Sequence, residues 1–477
     1  MSPIYGIVAL PLLSGAMLAL IPGYRLGAWL NVASSGATLL LSLLLFTSEP
    51  GADALFVVDA FNIYLIVLTA FVGFTTSIFS ATYIGHEIEV GKLRPLNLRF
   101  YHAMYQAFMF TMLLALSANN LGMMWVAVEG ATLTTVLMVS LYRTAESIEA
   151  AWKYFILCGV GIALALFGTI LMYLAAQPVM GPGMAAMTWT ELIQHVAKVD
   201  ASILNLAFVF LLIGYGTKVG LAPLHAWLPD AHAEGPTPIS AVLSGLLLNV
   251  ALYAVLRFKM LLAANGEALS PGPLMISMGL GSLALAGLML YRRRDIKRFF
   301  AYSSIEHMGI ITFAFGMGGP LANFAGLLHM AMHSLTKSAI FYAVGHVAQA
   351  RGTQAIDKIR GLTVSHPALG WGLLLGVVAI AGLPPFGIFM SEFLLITTTF
   401  AREPLLALPL VLGVLVAFGA LVLRVQQLCF GEADGEATPI HGSLVPLYAH
   451  LGLVLVAGIW LPGPLVAWFQ TVAHLLG

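Results

Sequence analysis

Seven side chains that bind or release protons stand in stretches that are otherwise almost wholly apolar: Glu129, Lys218, His307, His329, His333, Lys337 and Glu392. Glu129 lies in NNLGMMWVAVEGATLTTVLMVSLY and Lys218 in AFVFLLIGYGTKVGLAPLH. An unpaired charge at the centre of a bilayer costs about 2.5 to 3.5 kcal/mol on insertion scales, so something must offset it. Pairing does so: Glu129 lowers the cost of a charged Lys218, and a lysine held out of water beside a carboxylate can exchange its proton. The plainer alternative is a static ion pair that fixes helix packing. Further on, His307 follows AYSSIE, and Glu392 sits in FMSEFLL. Between them His329, His333 and Lys337 recur at i, i+4 and i+8. Four residues turn a helix by about 400°, so this row occupies nearly one face. A neutral imidazole is less costly to bury than a charge and both donates and accepts, which suits a water-linked proton wire.

Other chemistries fit these residues less well. Two histidines at i, i+4 match zinc ligands in spacing only: HMAMH lacks the HExxH glutamate, and no third ligand is visible in the sequence. Histidines on one face of one helix cannot fill both axial positions of a haem. No GxGxxG follows a strand, no P-loop occurs, and GYG at 214–216 is too short for a potassium filter. Cys158 and Cys429 are far apart, which excludes a CxxC or iron–sulfur spacing. No catalytic, cofactor-binding or metal-binding residue is therefore assigned, and any redox centre must reside outside this chain. The segment HAWLPDAHAEGPTPIS carries His225, Asp230, His232 and Glu234, candidates for proton access from the inner surface. Its plainer reading is an interfacial loop in which Trp227 anchors at headgroup level.

The elements that must hold these groups are membrane helices. Of 477 residues, 60% are apolar or aromatic and 9% charged, against about 25% charged in a soluble domain. Lys plus Arg and Asp plus Glu each total 21, so no basic field points to nucleic acid as a partner. Fourteen apolar runs, from 4–21 to 446–470, predict an all-α polytopic membrane protein with the lipid bilayer as its surroundings. The first run has no basic n-region and reads as a retained span. With both termini outside, the inner loops collect 15 of the 21 basic residues and the outer loops 4, namely Lys198, Arg257, Lys259 and Arg402. Lys218 and Lys337 are the two left within spans. Proline and glycine interrupt the seventh run at GLAPLHAWLP and the twelfth at AGLPPFGIF. Non-helical backbone at membrane depth survives only where protein or water satisfies it. The breaks lie five spans apart, an odd number, which predicts two inverted five-helix repeats, 100–263 and 272–427, inside a single membrane domain, 1–477.

KVGLAPLHAWLPDAHAEGPTPISAVLSG, taken with Glu129, closely resembles the antiporter-like membrane subunits shared by complex I, Mrp antiporters and membrane-bound [NiFe] hydrogenases. AWKYFILCGVGIALALFG and RFFAYSSIEHMGI look most like the hydrogenase-4 component F branch. The resemblance implies 14 helices, broken helices 7 and 12, and half-channels joined along a polar axis. It implies proton-translocating roles for Glu129, Lys218, His307, His329, His333, Lys337 and Glu392. In complex I members the span 8 position carries Lys or His, whereas here it is Asn249, which holds water but takes no proton. The resemblance further implies a multi-pass protein of the bacterial inner membrane that is itself non-catalytic. The ion it moves is the proton or Na+, beside other membrane subunits and a peripheral redox arm holding nickel–iron and iron–sulfur centres. The alternative is a cation/proton antiporter module, or the membrane half of an inorganic-carbon uptake pair, without redox partners.

Overall fold

Backbone in hydrocarbon must bond to itself, and here it does so almost entirely as helix. The computed structural model describes residues 3–433 and 439–477, apart from the side chains of 95–99. The chain opens with α1 (Pro3–Leu20) and α2 (Tyr24–Leu43), then a minimal antiparallel hairpin of β1 (Gly51–Ala52) and β2 (Val57–Val58). After it come α3 (Ala60–Glu89), α4 (Pro95–Ser117), α5 (Leu121–Val139) and α6 (Ala145–Met180). Short polar residues start several of these helices by accepting a free backbone N–H. Asp59 and Asn62 form a capping box at α3, and Asn120 and Thr144 cap α5 and α6.

A short helix, α7 (Trp189–His195), leads to α8 (Ala201–Val219), which ends at Gly220 with φ +80. The chain then turns through 220–226, with a cis Ala222–Pro223 peptide, into α9 (Trp227–Glu234). Next are α10 (Thr237–Val242), a π-helical turn over Leu243–Leu247, and α11 (Leu248–Ala263). The second half runs through α12 (Gly272–Leu290), α13 (Ile296–Met317), α14 (Pro320–Arg351), the single turn α15 (Leu362–Ser365) and α16 (Pro367–Ile380). A second break, with a cis Pro384–Pro385 peptide and Gly382 at φ +69, precedes α17 (Gly387–Arg402). The chain closes with α18 (Pro404–Cys429), α19 (Val445–Ile459) and α20 (Gly463–Leu475).

Among the described residues nine helices are long and apolar enough to cross a membrane, and α19 with α20 would make a tenth. The run 446–470, expected as one span, is bent by 82° between those two helices. Pro462 and Pro464 lie at the bend, where proline removes backbone donors and prevents the helix from continuing. Residues 237–262 are enclosed by protein, as is most of α14. Lipid-type side chains such as Leu13, Trp29 and Leu405 project outward from α1, α2 and α18. Helices close in where side chains vanish: a β-carbon on Gly279 of α12 would meet Gly309 O of α13 at 2.7 Å.

Both chain ends lie at one end of the bundle. Tyr5 donates to Asp53 at 2.7 Å, Asn119 donates to Asp53 O, and Gly319 N donates to Gly477 O at 3.0 Å. At the other end Arg298 meets Asp230 at 2.6 Å and Glu234 at 3.0 Å, and Lys153 meets Asp230 at 3.2 Å. Three cations expected in loops are buried instead. Arg257 pairs with Asp59 at 2.7 Å and stacks over Trp189, Lys259 donates to Leu476 O, and Lys297 donates to Gly235 O at 2.6 Å. Each lies where a helix end meets another segment, so a carbonyl or carboxylate replaces the water expected around a loop cation.

Candidate functional site

The first polar centre is built on α5 and α8. Lys218 lies in the last turn of α8, fully enclosed, one residue from the helix end that Gly220 closes. Its ammonium donates to Thr132 Oγ1, and that hydroxyl in turn donates to Glu129 Oε2 at 3.0 Å. The expected pair is therefore relayed: among the described residues no ion pair joins Glu129 to Lys218 directly. Thr132 stands one turn after Glu129 on α5, so helical spacing alone puts its hydroxyl beside the carboxylate. The Lys218 ammonium lies 5.4 Å from the Tyr154 ring centroid, and Trp227 stacks on that ring at 4.5 Å. Trp227 is buried and donates to Thr217 O at 2.8 Å. It is a wall of this centre, which corrects the expectation of a headgroup anchor.

The second centre gathers α13, α14 and α17. His307 Nδ1 lies 3.0 Å from His329 Nε2, His329 Nδ1 lies 3.0 Å from Ser391 Oγ, and Ser391 Oγ donates to Ile388 O at 2.7 Å. The direction of this chain follows from counting hydrogens. A serine has one, and here it is committed to Ile388 O, so Ser391 Oγ accepts from His329 Nδ1–H. His329 Nε2 is then the bare nitrogen, and His307 Nδ1–H points at it. On its far side His307 Nε2 is 3.1 Å from Glu306 Oε2, outside hydrogen-bond alignment. Glu392 Oε1 stands 4.0 Å from His307 Nδ1.

Room for the Glu392 carboxylate comes from the break. Gly382 takes φ +69, and a β-carbon there would run into that carboxylate. His333 is fully buried, its ring 5.8 Å from that of His307, and among the described residues neither of its nitrogens has a hydrogen-bond partner. Lys337 does not face the histidine chain by hydrogen bond; it donates to Phe300 O at 2.6 Å and lies over the Phe300 ring.

Asn249 stands at the contact between the central α10–α11 stretch and α14. Its amide donates to Met330 O at 3.0 Å and to Ser334 Oγ at 2.7 Å, and Ser334 donates to Gly245 O. Gly245 belongs to the π-helical turn, a form of local widening that often accompanies function. Among the described residues Asn249 Oδ1 is buried without a hydrogen-bond partner.

The access residues separate. Asp230 is taken up by Lys153 and Arg298. His232 is buried against Phe341, 4.8 Å between ring centroids, with neither nitrogen hydrogen-bonded among the described residues. His225 lies at the α8–α9 break, 6.1 Å from the Tyr302 ring. Asp295 caps α13; burial pushes its carboxyl up, and its bond from the Arg298 N–H with nearby Lys297 pulls it back.

The sequence reading missed Glu306, although a carboxylate inside an apolar helix is the very signal that singled out Glu129. Thr132 and Ser391 carried no such signal, since hydroxyls are common in helices. Glu87 was also passed over: it is buried and accepts from Tyr142 at 3.1 Å and Gln349 at 2.9 Å.

Residues 118–418, which hold both centres, match the family described as NADH:quinone oxidoreductase/Mrp antiporter, TM. The chain is 60% identical over 470 residues to the hydrogenase-4 component F homolog of Methylacidiphilum infernorum, covering 98% of this chain and 99% of that one. Its fold is similar over 100% of its length to a chain of the archaeal membrane-bound sulfane sulfur reductase, with a TM-score of 0.90, 22% identity and 98% of that chain covered. A chain of respiratory complex I from Thermus thermophilus is similar with a TM-score of 0.84 and 24% identity, each chain being covered in full.

Proposed function

Since the chain belongs to the NADH:quinone oxidoreductase/Mrp antiporter transmembrane family, we propose that it is the proton-translocating, antiporter-like subunit of a redox-driven membrane complex of the hydrogenase-4 or formate-hydrogenlyase type. The observation that carries this reading is the pair of directed hydrogen-bond chains, Lys218–Thr132–Glu129 and His307–His329–Ser391, each beside a broken helix, with the Glu306 carboxylate 3.1 Å from the far nitrogen of His307. In the first, Lys218 is the proton carrier, and the distance to Glu129 sets how firmly it holds its proton. In the second, tautomer exchange along the histidines passes a proton toward Glu392. Asn249 with a held water bridges the two.

Counting α8–α9, α10–α11, α16–α17 and α19–α20 as one traverse each, and leaving out α7 and α15, we take the chain as 14 spans. The single domain then holds inverted repeats over 100–263 and 272–427. The basic end around Arg298 faces the cytoplasm, and both termini face the outside of a bacterial inner membrane. Redox chemistry, with its nickel–iron and iron–sulfur centres, resides in partner subunits; this chain contributes proton carriers and no catalytic residue.

The test is purification of the tagged chain in mild detergent from its native membrane, with partner identification and nickel and iron analysis, followed by proton uptake of the complex in proteoliposomes. Redox subunits that co-purify, and uptake driven by their substrate, are the expected result. A partner set without redox proteins would replace this reading by a cation/proton antiporter module or an inorganic-carbon uptake pair.

A further inference from the structure

One ligand atom each from His307, His329 and Glu392 lies within 4.8 Å of the other two, and His307 Nδ1 is 3.0 Å from His329 Nε2 and 4.0 Å from Glu392 Oε1. Three donors arranged tetrahedrally about Zn2+ at about 2.0 to 2.1 Å stand about 3.3 Å apart. The 3.0 Å and 4.0 Å separations from His307 Nδ1 bracket that spacing. We infer that His307, His329 and Glu392 form a binding site for a zinc-class divalent cation, whose occupation stops proton passage through the second half of the chain.

Four features of the surroundings support a metal in preference to a plain hydrogen-bonded cluster. The donor set is two imidazoles and one carboxylate, a combination that suits Zn2+ more than Mg2+ or Ca2+. His329 is already held with Nδ1–H on Ser391, which aims the bare Nε2 into the site as an outer hydrogen bond does for a metal-bound histidine. Glu306, 3.1 Å from His307 Nε2, stands beside the nitrogen that takes up the proton when Nδ1 becomes a ligand. His333, buried beside His307 with neither nitrogen hydrogen-bonded among the described residues, offers a fourth ligand; otherwise a water fills that position. The sequence shows only His329 and His333 at i, i+4; His307 and Glu392 come from two other helices, and Glu392 is brought in by the break at Gly382.

Binding is balanced by protons. The cation takes the lone pairs of His307 Nδ1, His329 Nε2 and Glu392, and the proton that lay between the two imidazoles moves to Nε2 of His307 or leaves to water. With both nitrogens fixed on the metal, the tautomer exchange that would carry a proton is no longer available. The blocking effect rests on the proposed proton role, whereas binding does not.

Binding and blocking are therefore read separately. The full chain in detergent is titrated with Co2+, whose visible absorption reports tetrahedral nitrogen and oxygen ligands, and then with Zn2+ in competition. One Co2+ per chain with tetrahedral bands, displaced by Zn2+, is expected. His329→Gln and Glu392→Gln should lose the bands, and Ser391→Ala should weaken binding about 10- to 100-fold. Lys218→Ala and Glu129→Gln, in the other centre, should keep them, which also controls for the fold. Absent bands in the native chain, or bands that persist in both His329→Gln and Glu392→Gln, overturn the site. Zn2+ is then added to the complex in proteoliposomes. Undiminished proton uptake at saturating Zn2+ overturns the block, and a complex that moves no protons at all overturns the proposed function while leaving the site intact.

Discussion

The two broken helices pose one structural problem and sit beside different chemistry. At the α8–α9 break one enclosed cation, Lys218, meets one carboxylate through a single hydroxyl. At the α16–α17 break the neighbouring helices supply imidazoles, and the hydroxyl of Ser391 ends the chain on a backbone carbonyl. A lysine carries its proton as a full charge and therefore needs a counter-charge at a controlled distance. Imidazoles pass a proton while staying neutral between transfers, so a row of them needs less compensation in low dielectric. A break in a helix is thus a general means of bringing water and free backbone to mid-membrane, and the side chains around it decide what is done with them.

The sharpest contrast would come from removing the charges of the first centre. Lys218→Ala and Glu129→Gln should each abolish coupled proton uptake, by about 100-fold or more, with the protein still present in the membrane. Normal uptake in both variants would remove the first centre from the path. His329→Gln should lower uptake by about tenfold or more, because Gln keeps hydrogen bonds but has no second tautomer. If it leaves uptake intact while Lys218→Ala abolishes it, the two halves differ in importance as well as in chemistry.

The breaks themselves can be set against each other. Gly382→Ala would place a methyl group in the Glu392 carboxylate, whereas at Gly220 the nearest obstacle is a Leu228 methyl at 3.1 Å. Both substitutions carry the left-handed backbone cost of roughly 1–2 kcal/mol. Only Gly382→Ala should also cut uptake severalfold, and equal effects on uptake would show that the carboxylate position is immaterial. Asn249→Leu should reduce thermal stability by about 1–3 kcal/mol, through loss of the bonds to Met330 O and Ser334, and should lower uptake. Asn249→Lys should fold and keep uptake, because the position faces α14; a chain that fails to fold would mark the contact as too tight for any carrier. The smallest effect is expected for Lys153→Ala, whose exposed pairs with Glu149 and Asp230 are worth little. Uptake and melting temperature should both stay at the native level.

The sequence alone settles the class of molecule. Apolar runs, the scarcity of charge and the two Pro/Gly interruptions establish a multi-pass helical membrane protein, because lipid forces each span to satisfy its own backbone and hydropathy is a local property. It also exposes Lys218, Glu129 and the His329, His333, Lys337 row, since a proton-binding group in hydrocarbon stands out whatever surrounds it. What it leaves open is which of these groups meet. The Thr132 relay, the turn of Ser391 toward His329, the approach of Glu392 to His307 across Gly382 and the burial of Arg257, Lys259 and Lys297 depend on how separate helices pack. His329 and Ser391 are 62 positions apart in the chain, and Thr132 and Lys218 are 86 apart, so no local pattern links either pair. Periodicity within one helix fixes which side chains share a face; only the tertiary structure decides which faces are brought together, because that depends on the fit of whole helix surfaces.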